Sequence, residues 1–387
     1  MIETPVRVQG QQSLAPRGNR WRRLQLLGRL FGPSVQMPTF VMMFVTNRCD
    51  AKCPHCFYHE ALNTNATKEL TIGEYEVLTR SIGPVLHVTL TGGSPELRPD
   101  LADIAETFSR NCRPTNITIC MNGYHTDRIL SHIERIMEKC PSQGLTVSLS
   151  LDGIGDDHSK FRGMDGLFER VVATFEGLAE IKTRYPNLRL QCGMVVTGLN
   201  YERVEDAAGW VWDNLPVDYL KLTLVRSSPP PPNAEALNEN CTREYLRLID
   251  GDDKWIRPLG QPGTPVRALP AMAKEVVLRQ VLRQQLEGGV CPVRCGASRD
   301  NVTIYPDGTV AGCECRPEQL GHLRDTDMNL AMLWYGPAAN EFRDTLERVP
   351  CDNHHHGYLA LPILRSPRMW PRLACAAWKL RFGPASD

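Results

Sequence analysis

Between residues 38 and 226, short β-rich runs alternate with helical stretches, the pattern that builds a parallel sheet through right-handed crossovers. Six strands are predicted, over residues 39–46, 86–91, 116–122, 145–152, 188–196 and 219–226, with helices such as 72–82, 101–109 and 168–183 between them. Thr71 followed by Glu74 forms a capping box for the first of these helices. Three strands alternate strictly. In the fourth, Leu145, Val147, Leu149 and Leu151 share one face and Thr146, Ser148, Ser150 and Asp152 the other. His87, Thr89 and Thr91 oppose Val88 and Leu90 in the second; Asn116, Thr118, Cys120 and Asn122 oppose Ile117, Ile119 and Met121 in the third. Parallel strands covered by helices on both faces read as continuous apolar runs. These polar faces therefore predict a curved sheet whose inner wall lines a polar, ligand-filled cavity. The competing arrangement is an open sheet with one solvated face.

Ser227 and Ser228 followed by Pro229–Pro232 can continue neither strand nor helix and predict a stiff spacer. The expected organisation is a basic amphipathic extension (1–37), a partial α/β barrel (38–228), a proline-rich linker with helices near 234–249 and 271–287 (229–290), a cysteine-rich segment (291–356) and a basic tail (357–387). Within the cysteine-rich segment, residues 301–305 and 309–312 form a hairpin about Pro306-Asp307-Gly308, and a helix is expected over 328–346.

Composition narrows the chemistry. With 42% hydrophobic residues in 387 the chain is globular, and 44 basic residues balance 44 acidic ones, so no global field recruits nucleic acid. No apolar run reaches the length of a membrane span, and the first residues lack a signal-peptide core, which predicts a cytoplasmic protein. Disulfides do not persist there, so clustering among the 14 cysteines points to metal. Cys112, Cys140, Cys192, Cys241 and Cys375 have no such partners and are read as packing residues; Cys120 differs only in sharing the inward face, and is read first as a buried structural cysteine, with hydrogen-atom delivery to a ligand in the cavity as the alternative.

Cys49, Cys53 and Cys56 lie just after the first strand, in a loop at the C-terminal mouth of the predicted barrel, where active sites are built. Three thiolates hold three irons of a cubane [4Fe–4S] cluster and leave the fourth open. A structural zinc site completed by His55 or His59 is the alternative. The spacing resembles the signature of the radical S-adenosylmethionine (SAM) superfamily, and further motifs recur in the family's order over residues 38–226. The resemblance implies a partial (β/α)6 TIM-like barrel, SAM chelated at the open iron, and reductive cleavage to a 5′-deoxyadenosyl radical that abstracts hydrogen from a substrate C–H. It also implies that Gly92, Gly93 and Ser94 form the turn holding the SAM amino group, although Ser94 replaces the family's glutamate and Glu96 follows two residues later. Ser148, Ser150 and Asp152 correspond to the fourth-strand SAM motif, Arg162 to an arginine that clamps the SAM carboxylate, and Asn122 to a recurrent Asn-Gly turn.

Cys295, Gly308 and Cys313 resemble the first half of the SPASM/twitch extension of radical SAM enzymes, with Cys351 a third ligand. The resemblance implies one auxiliary [4Fe–4S] cluster in a small domain with a hairpin and a helix. The fourth ligand is ordered Cys291, then His354, then Cys315, with an open iron for substrate or a zinc site as further options. The expected function is a tailoring oxidation or epimerisation of a small molecule, fed by a flavodoxin- or ferredoxin-type reductant. Crosslinking or epimerising a ribosomal peptide, modification of a lipid, and a non-catalytic iron–sulfur or SAM-binding protein remain alternatives. The N-terminal extension is short for a leader-peptide-binding domain. Residues 17–31 and the tail mix arginines with Trp21, Trp370 and Trp378; such segments are read first as packing on the domain with solvated arginines, and otherwise as suited to a lipid headgroup surface or an acidic partner.

Overall fold

The computed structural model describes residues 35–64, 68–226, 232–250, 269–289, 291–348 and 356–382, together with Leu26, Gly28 and Arg29. The polyproline spacer up to Pro231, Cys351, His354 and nearly all of the basic N-terminal segment lie outside these residues.

Six βα units run β1 (Phe40–Thr46), α1 (Ile72–Ile82), β2 (His87–Gly92), α2 (Leu101–Asn111), β3 (Asn116–Met121), α3 (Thr126–Lys139), β4 (Gly144–Ser150), α4 (Asp156–Arg162), α5 (Leu167–Arg184), β5 (Leu188–Val196), α6 (Val204–Asn214) and β6 (Tyr219–Leu224). All neighbouring pairs among β1 to β6 are parallel, in sequential order. The six strands fall where the β-rich runs placed them, and the fold is the partial barrel expected. Val88, Leu90, Ile117, Ile119, Leu145, Val147 and Leu149 are wholly buried under the helices. Their polar neighbours face inward, where Asn116 donates to Thr118 at 3.2 Å and to Thr146 at 3.1 Å, and Gln191 donates to Ser148 at 2.9 Å. The capping box forms: Thr71 accepts from the Glu74 N–H at 3.3 Å while Glu74 accepts from the Thr71 N–H at 2.8 Å.

The chain continues through α7 (Glu239–Asp250) and α8 (Leu269–Leu286) to β7 (Asn301–Ile304), β8 (Thr309–Ala311), β9 (Gln319–His322), α9 (Leu330–Trp334), α10 (Pro337–Arg348), α11 (His356–Arg365) and α12 (Trp370–Phe382). The hairpin extends the barrel sheet instead of standing apart. β7 lies parallel to β1, with Val41 against Val302 and Met43 against Ile304, and β8 and β9 follow antiparallel. These four apolar side chains are buried on one face and belong to one core with the barrel. The free edge of β1 is thereby covered, which satisfies its backbone groups.

The single helix expected over 328–346 is broken into α9 and α10, because Pro337 cannot supply the N–H that a continuous helix needs there. A second, smaller apolar cluster joins α8, α11 and α12 through Val277, Val281, Leu282, Leu359, Ile363 and Ala376. No helix among the described residues is long and apolar enough to cross a membrane.

Candidate functional site

The loop after β1 carries Cys49, Cys53 and Cys56 and is fastened to the β2 turn by backbone. Gly93 N–H donates to the Thr46 carbonyl at 2.9 Å, and Ser94 N–H to the Arg48 carbonyl at 2.7 Å. A Cβ on Gly92 would run into the Thr46 carbonyl, and one on Gly93 into the Arg48 carbonyl and Cys49 Cβ. The two glycines are therefore required for the cysteine loop and the β2 turn to touch. On the other side, Lys52 N–H donates to the Arg162 carbonyl at 2.9 Å, where α4 ends on Gly163 in the left-handed region.

All three thiols line one cavity of about 270 Å³ at the C-terminal mouth of the barrel. Its wall also carries Gly92, Gly93, Asn122, Ser150 and Arg162 among the eight residues expected to hold SAM. Ser94, Ser148 and Asp152 stand behind it. Ser148 is engaged by Gln191, and Asp152 anchors Arg162, with the guanidinium Nε and one terminal nitrogen each 2.7 Å from the carboxylate. A further Arg162 nitrogen faces Cys53 Sγ at 3.7 Å. Burial pushes the Asp152 carboxyl up, but Arg162 beside it outweighs that and holds the group below its ordinary value. Arg162 is thus a fixed cation aimed at the cluster loop rather than a free clamp.

Ser94 occupies the glutamate position of the motif and is fully buried. Its hydroxyl donates to Asp50 at 3.2 Å and lies 3.4 Å from Cys49 Sγ. Asn122 donates to the same Asp50 oxygen at 2.8 Å and to Ser94 at 2.8 Å, while His125 meets the other Asp50 oxygen at 2.7 Å. A carboxylate is therefore present beside Ser94, contributed by the residue after the first cysteine. Sequence reasoning missed it because its partners come from two other loops, Ser94 after β2 and Asn122 and His125 after β3. Glu96 does not fill that role: its side chain is buried without a well-formed hydrogen bond among the described residues, and burial pushes its carboxyl up to about 8, with the Asn122 and Glu96 backbone amides offsetting only part of this.

Burial also raises the thiols, Cys53 to about 12 against the opposing pull of Arg162, so metal must displace protons to bind. His55 is stacked on Phe161 with ring centroids 4.9 Å apart, and its burial lowers its pKa to about 4. Among the described residues no three Cys, His, Asp or Glu side chains converge on a single ion. A cubane does not need such convergence, since each thiolate takes a different iron. Three thiols around a cavity, a glycine cradle and an arginine facing the sulfur fit the cluster and SAM.

The auxiliary cysteines divide differently from expectation. Cys295, Cys313 and Cys315 share the main core, and Cys313 lies close enough to both others for their charges to interact. Ala297 N–H donates to Cys295 Sγ at 3.5 Å and Cys315 N–H to Cys313 Sγ at 3.3 Å. Cys291, placed first for the fourth ligand, instead packs at the edge of the small helical cluster, beside Val293 and away from these thiols. The reason is that α8 ends just before it and carries it toward α11 and α12. The Cys313 thiol donates to Cys315, which lowers Cys315 and raises Cys313.

Cys315 also lines the first cavity, as do Cys120, Lys221 and Arg226. Arg226, just beyond β6, was not singled out as a site residue, although a cation at the C-terminal end of a barrel strand is a functional signal. It pairs with buried Glu314 at 2.8 Å, faces Cys315 Sγ at 3.8 Å and sits 3.9 Å over the Phe57 ring, next to Cys56.

The radical SAM superfamily model matches residues 43–211, and an iron–sulfur cluster-binding domain of the SPASM type matches residues 295–355. Fe-coproporphyrin III synthase of Methanosarcina barkeri is 34% identical over 137 residues, covering 34% of this chain and 32% of that protein. Pre-heme d1 synthase of Dinoroseobacter shibae is 31% identical over 135 residues, covering 34% and 31%. The chain is thus aligned with about a third of the length of these curated relatives. Among solved structures, anSMEcpe with bound AdoMet superimposes with a TM-score of 0.57 at 16% identity, covering 88% of this chain and 99% of that one. Streptococcus suis SuiB bound to the precursor peptide SuiA gives 0.57 at 14% identity, covering 87% and 75%. These likenesses bear on the fold. Together with the cysteine loop, the glycine turn and the second group of thiols, the two domain matches identify the chain as a member of the radical SAM superfamily with a C-terminal SPASM-type iron–sulfur domain.

Proposed function

We propose that this protein is a radical SAM enzyme that takes a hydrogen atom from a C–H bond of a substrate held between two iron–sulfur sites, with net oxidation of that substrate. The observation that carries the reading is the shared cavity, with Cys49, Cys53 and Cys56 on one wall and Cys315 on another. When bound, the cluster and SAM supply a 5′-deoxyadenosyl radical strong enough to attack an unactivated C–H. Cys49, Cys53 and Cys56 hold the first cluster; Gly92, Gly93, Asn122 and Ser150 bound the space for SAM; Asp50, oriented by Ser94, Asn122 and His125, supplies the carboxylate for its ammonium. Cys295, Cys313 and Cys315, with Cys351, hold the auxiliary cluster, which suits it to receive the electron left on substrate. Lys221 lines the cavity, which fits a substrate bearing a carboxylate or phosphate.

A peptide substrate is the second reading, supported by fold likeness to SuiB with its precursor peptide. Epimerisation in place of oxidation predicts one solvent hydrogen incorporated per product, for which Cys120 on the cavity wall is the donor within reach. The test is anaerobic turnover of the reconstituted protein with reductant and SAM. Formation of 5′-deoxyadenosine that is lost in the Cys49→Ala, Cys53→Ala, Cys56→Ala variant supports catalysis; SAM binding without cleavage under strong reductant assigns a non-catalytic role. Deuterium transfer from candidate substrates into 5′-deoxyadenosine then identifies the substrate.

A further inference from the structure

α12 carries more apolar surface on its outer face than a packed helix needs. Its inner face, Leu373, Ala376 and Ala377, packs on the α8–α11 cluster. At 3.6 residues per turn, Pro371, Cys375, Trp378 and Phe382 then fall along the crest of the opposite side, with Ala374 and Arg381 on one flank and Lys379 and Arg372 on the other. Trp378 is 61% exposed, Phe382 66% and Trp370, at the start of the helix, 53%. These are the largest exposures among the bulky apolar side chains described, apart from Met332 at 61%. The aromatic rings lie side by side, Trp378 and Phe382 with centroids 6.2 Å apart, so the crest is a continuous patch.

The charge around this patch is of one sign. Residues 356–382 contain Arg365, Arg368, Arg372, Lys379 and Arg381 and no Asp or Glu. The surface continues into a cleft lined by Arg29, Arg294, Arg299, Arg365 and Arg368, where Asp300 is the one acidic lining residue. Arg365 is paired with Asp300, and Arg294 and Arg299 with Glu347, whereas Arg368, Arg372 and Lys379 make no ion pair among the described residues. An apolar crest carrying Trp378 and Phe382, bordered by cations without an ion pair among the described residues and adjoining an arginine-lined cleft, matches an anionic bilayer surface. The rings reach the acyl boundary while the cations meet lipid phosphates. An acidic protein surface would complement the charge but would leave the aromatic crest without an apolar counterpart.

We propose that the protein docks through α12 onto anionic lipid, lying on the membrane surface with the arginine-lined cleft against the headgroups. The barrel-mouth cavity shares no lining residue with this cleft, whereas Cys295 of the auxiliary thiol group lines the cleft wall. The test is co-sedimentation of the holoprotein with phosphatidylcholine vesicles, with and without phosphatidylglycerol, at low and high salt. The expected result is partition onto the anionic vesicles alone, weakened by salt, with a blue shift of tryptophan emission. Trp378→Ala with Phe382→Ala lowers the partition at least about tenfold, and Arg372→Glu with Lys379→Glu abolishes the preference for anionic lipid. Unchanged iron content and 5′-deoxyadenosine formation establish that the variants are folded. Absence of partition onto either vesicle, or partition indifferent to both double variants, overturns the proposal; the first result would assign the patch to a protein partner.

Discussion

The two thiol groups of this molecule are built on different principles. Cys49, Cys53 and Cys56 sit within eight consecutive residues, on a loop pinned by backbone hydrogen bonds to the β2 turn and to the end of α4. Cys295, Cys313 and Cys315 come from two ends of a hairpin, so their approach depends on β7 and β8 pairing correctly. The first site is preorganised by local chain geometry, the second by tertiary structure. The first can assemble as soon as the barrel mouth exists, while the second requires β7 to dock on β1. The electrostatics differ in the same direction. Arg162 is locked to Asp152 and presents a fixed charge to Cys53, whereas Arg226 is shared among Glu314, Cys315 and the Phe57 ring.

The sharpest way to break the comparison is to remove one ligand from each group. Cys53→Ala abolishes 5′-deoxyadenosine formation and the reduced-cluster EPR signal that SAM perturbs. Cys315→Ala retains both and lowers iron per chain by roughly half, if each site holds a four-iron cluster. Loss of both signals in the Cys315→Ala protein would show that the sites assemble as a unit.

A second, smaller effect lies behind the first site. Glu96 has its pKa raised to about 8 by burial, above the ordinary value of 4.5. The folded state therefore holds a proton that the unfolded chain releases, and stability falls as pH rises from about 4.5 toward 8. By pH 7 the loss is on the order of 3 kcal/mol. Glu96→Gln removes the ionisable group, so its thermal midpoint under anaerobic conditions should exceed that of the unaltered protein at pH 7.5 and approach it at pH 5. Equal midpoints at both pH values would place the Glu96 carboxyl in contact with water.

Asp50→Asn probes the carboxylate proposed for the SAM ammonium. The amide keeps the bulk while losing the charge, and SAM dissociation measured by equilibrium dialysis should weaken about tenfold, or ~1.4 kcal/mol. Iron content should stay unchanged, because Asp50 contacts Ser94, Asn122 and His125 without replacing any cysteine. A variant that loses iron instead would make Asp50 a support of the cysteine loop.

How much of this was legible beforehand follows from the range of each signal. Alternation with period two depends only on neighbouring residues, so the inward polar faces of β2, β3 and β4 were readable from Thr89, Thr118 and Ser148 themselves. The spacing of Cys49, Cys53 and Cys56 is equally local. The pairing of β7 with β1 was not legible, since Val302 and Ile304 show only that the strand is buried, not what it meets. The same limit hid Asp50, whose role depends on Ser94, Asn122 and His125, and misplaced Cys291, whose direction is set by the packing of α8 against α11 and α12.

Arg226 joins the two sites and gives the finest test of the comparison. Its guanidinium faces Cys315 Sγ, and a positive N–H donor near a cluster sulfur stabilises the more negative, reduced form. Arg226→Met keeps the apolar contact with Phe57 while removing charge and donor, leaving buried Glu314 unbalanced. Both changes act in the same direction, so the auxiliary potential should fall, on the order of tens of millivolts. The first cluster should move less, because its own fixed cation is Arg162. Redox titration by EPR separates the two signals. An equal shift at both clusters would mean that Arg226 acts through the field of the whole cavity rather than through Cys315, and Arg226→Lys, which restores charge without the forked donor, would then recover both potentials together.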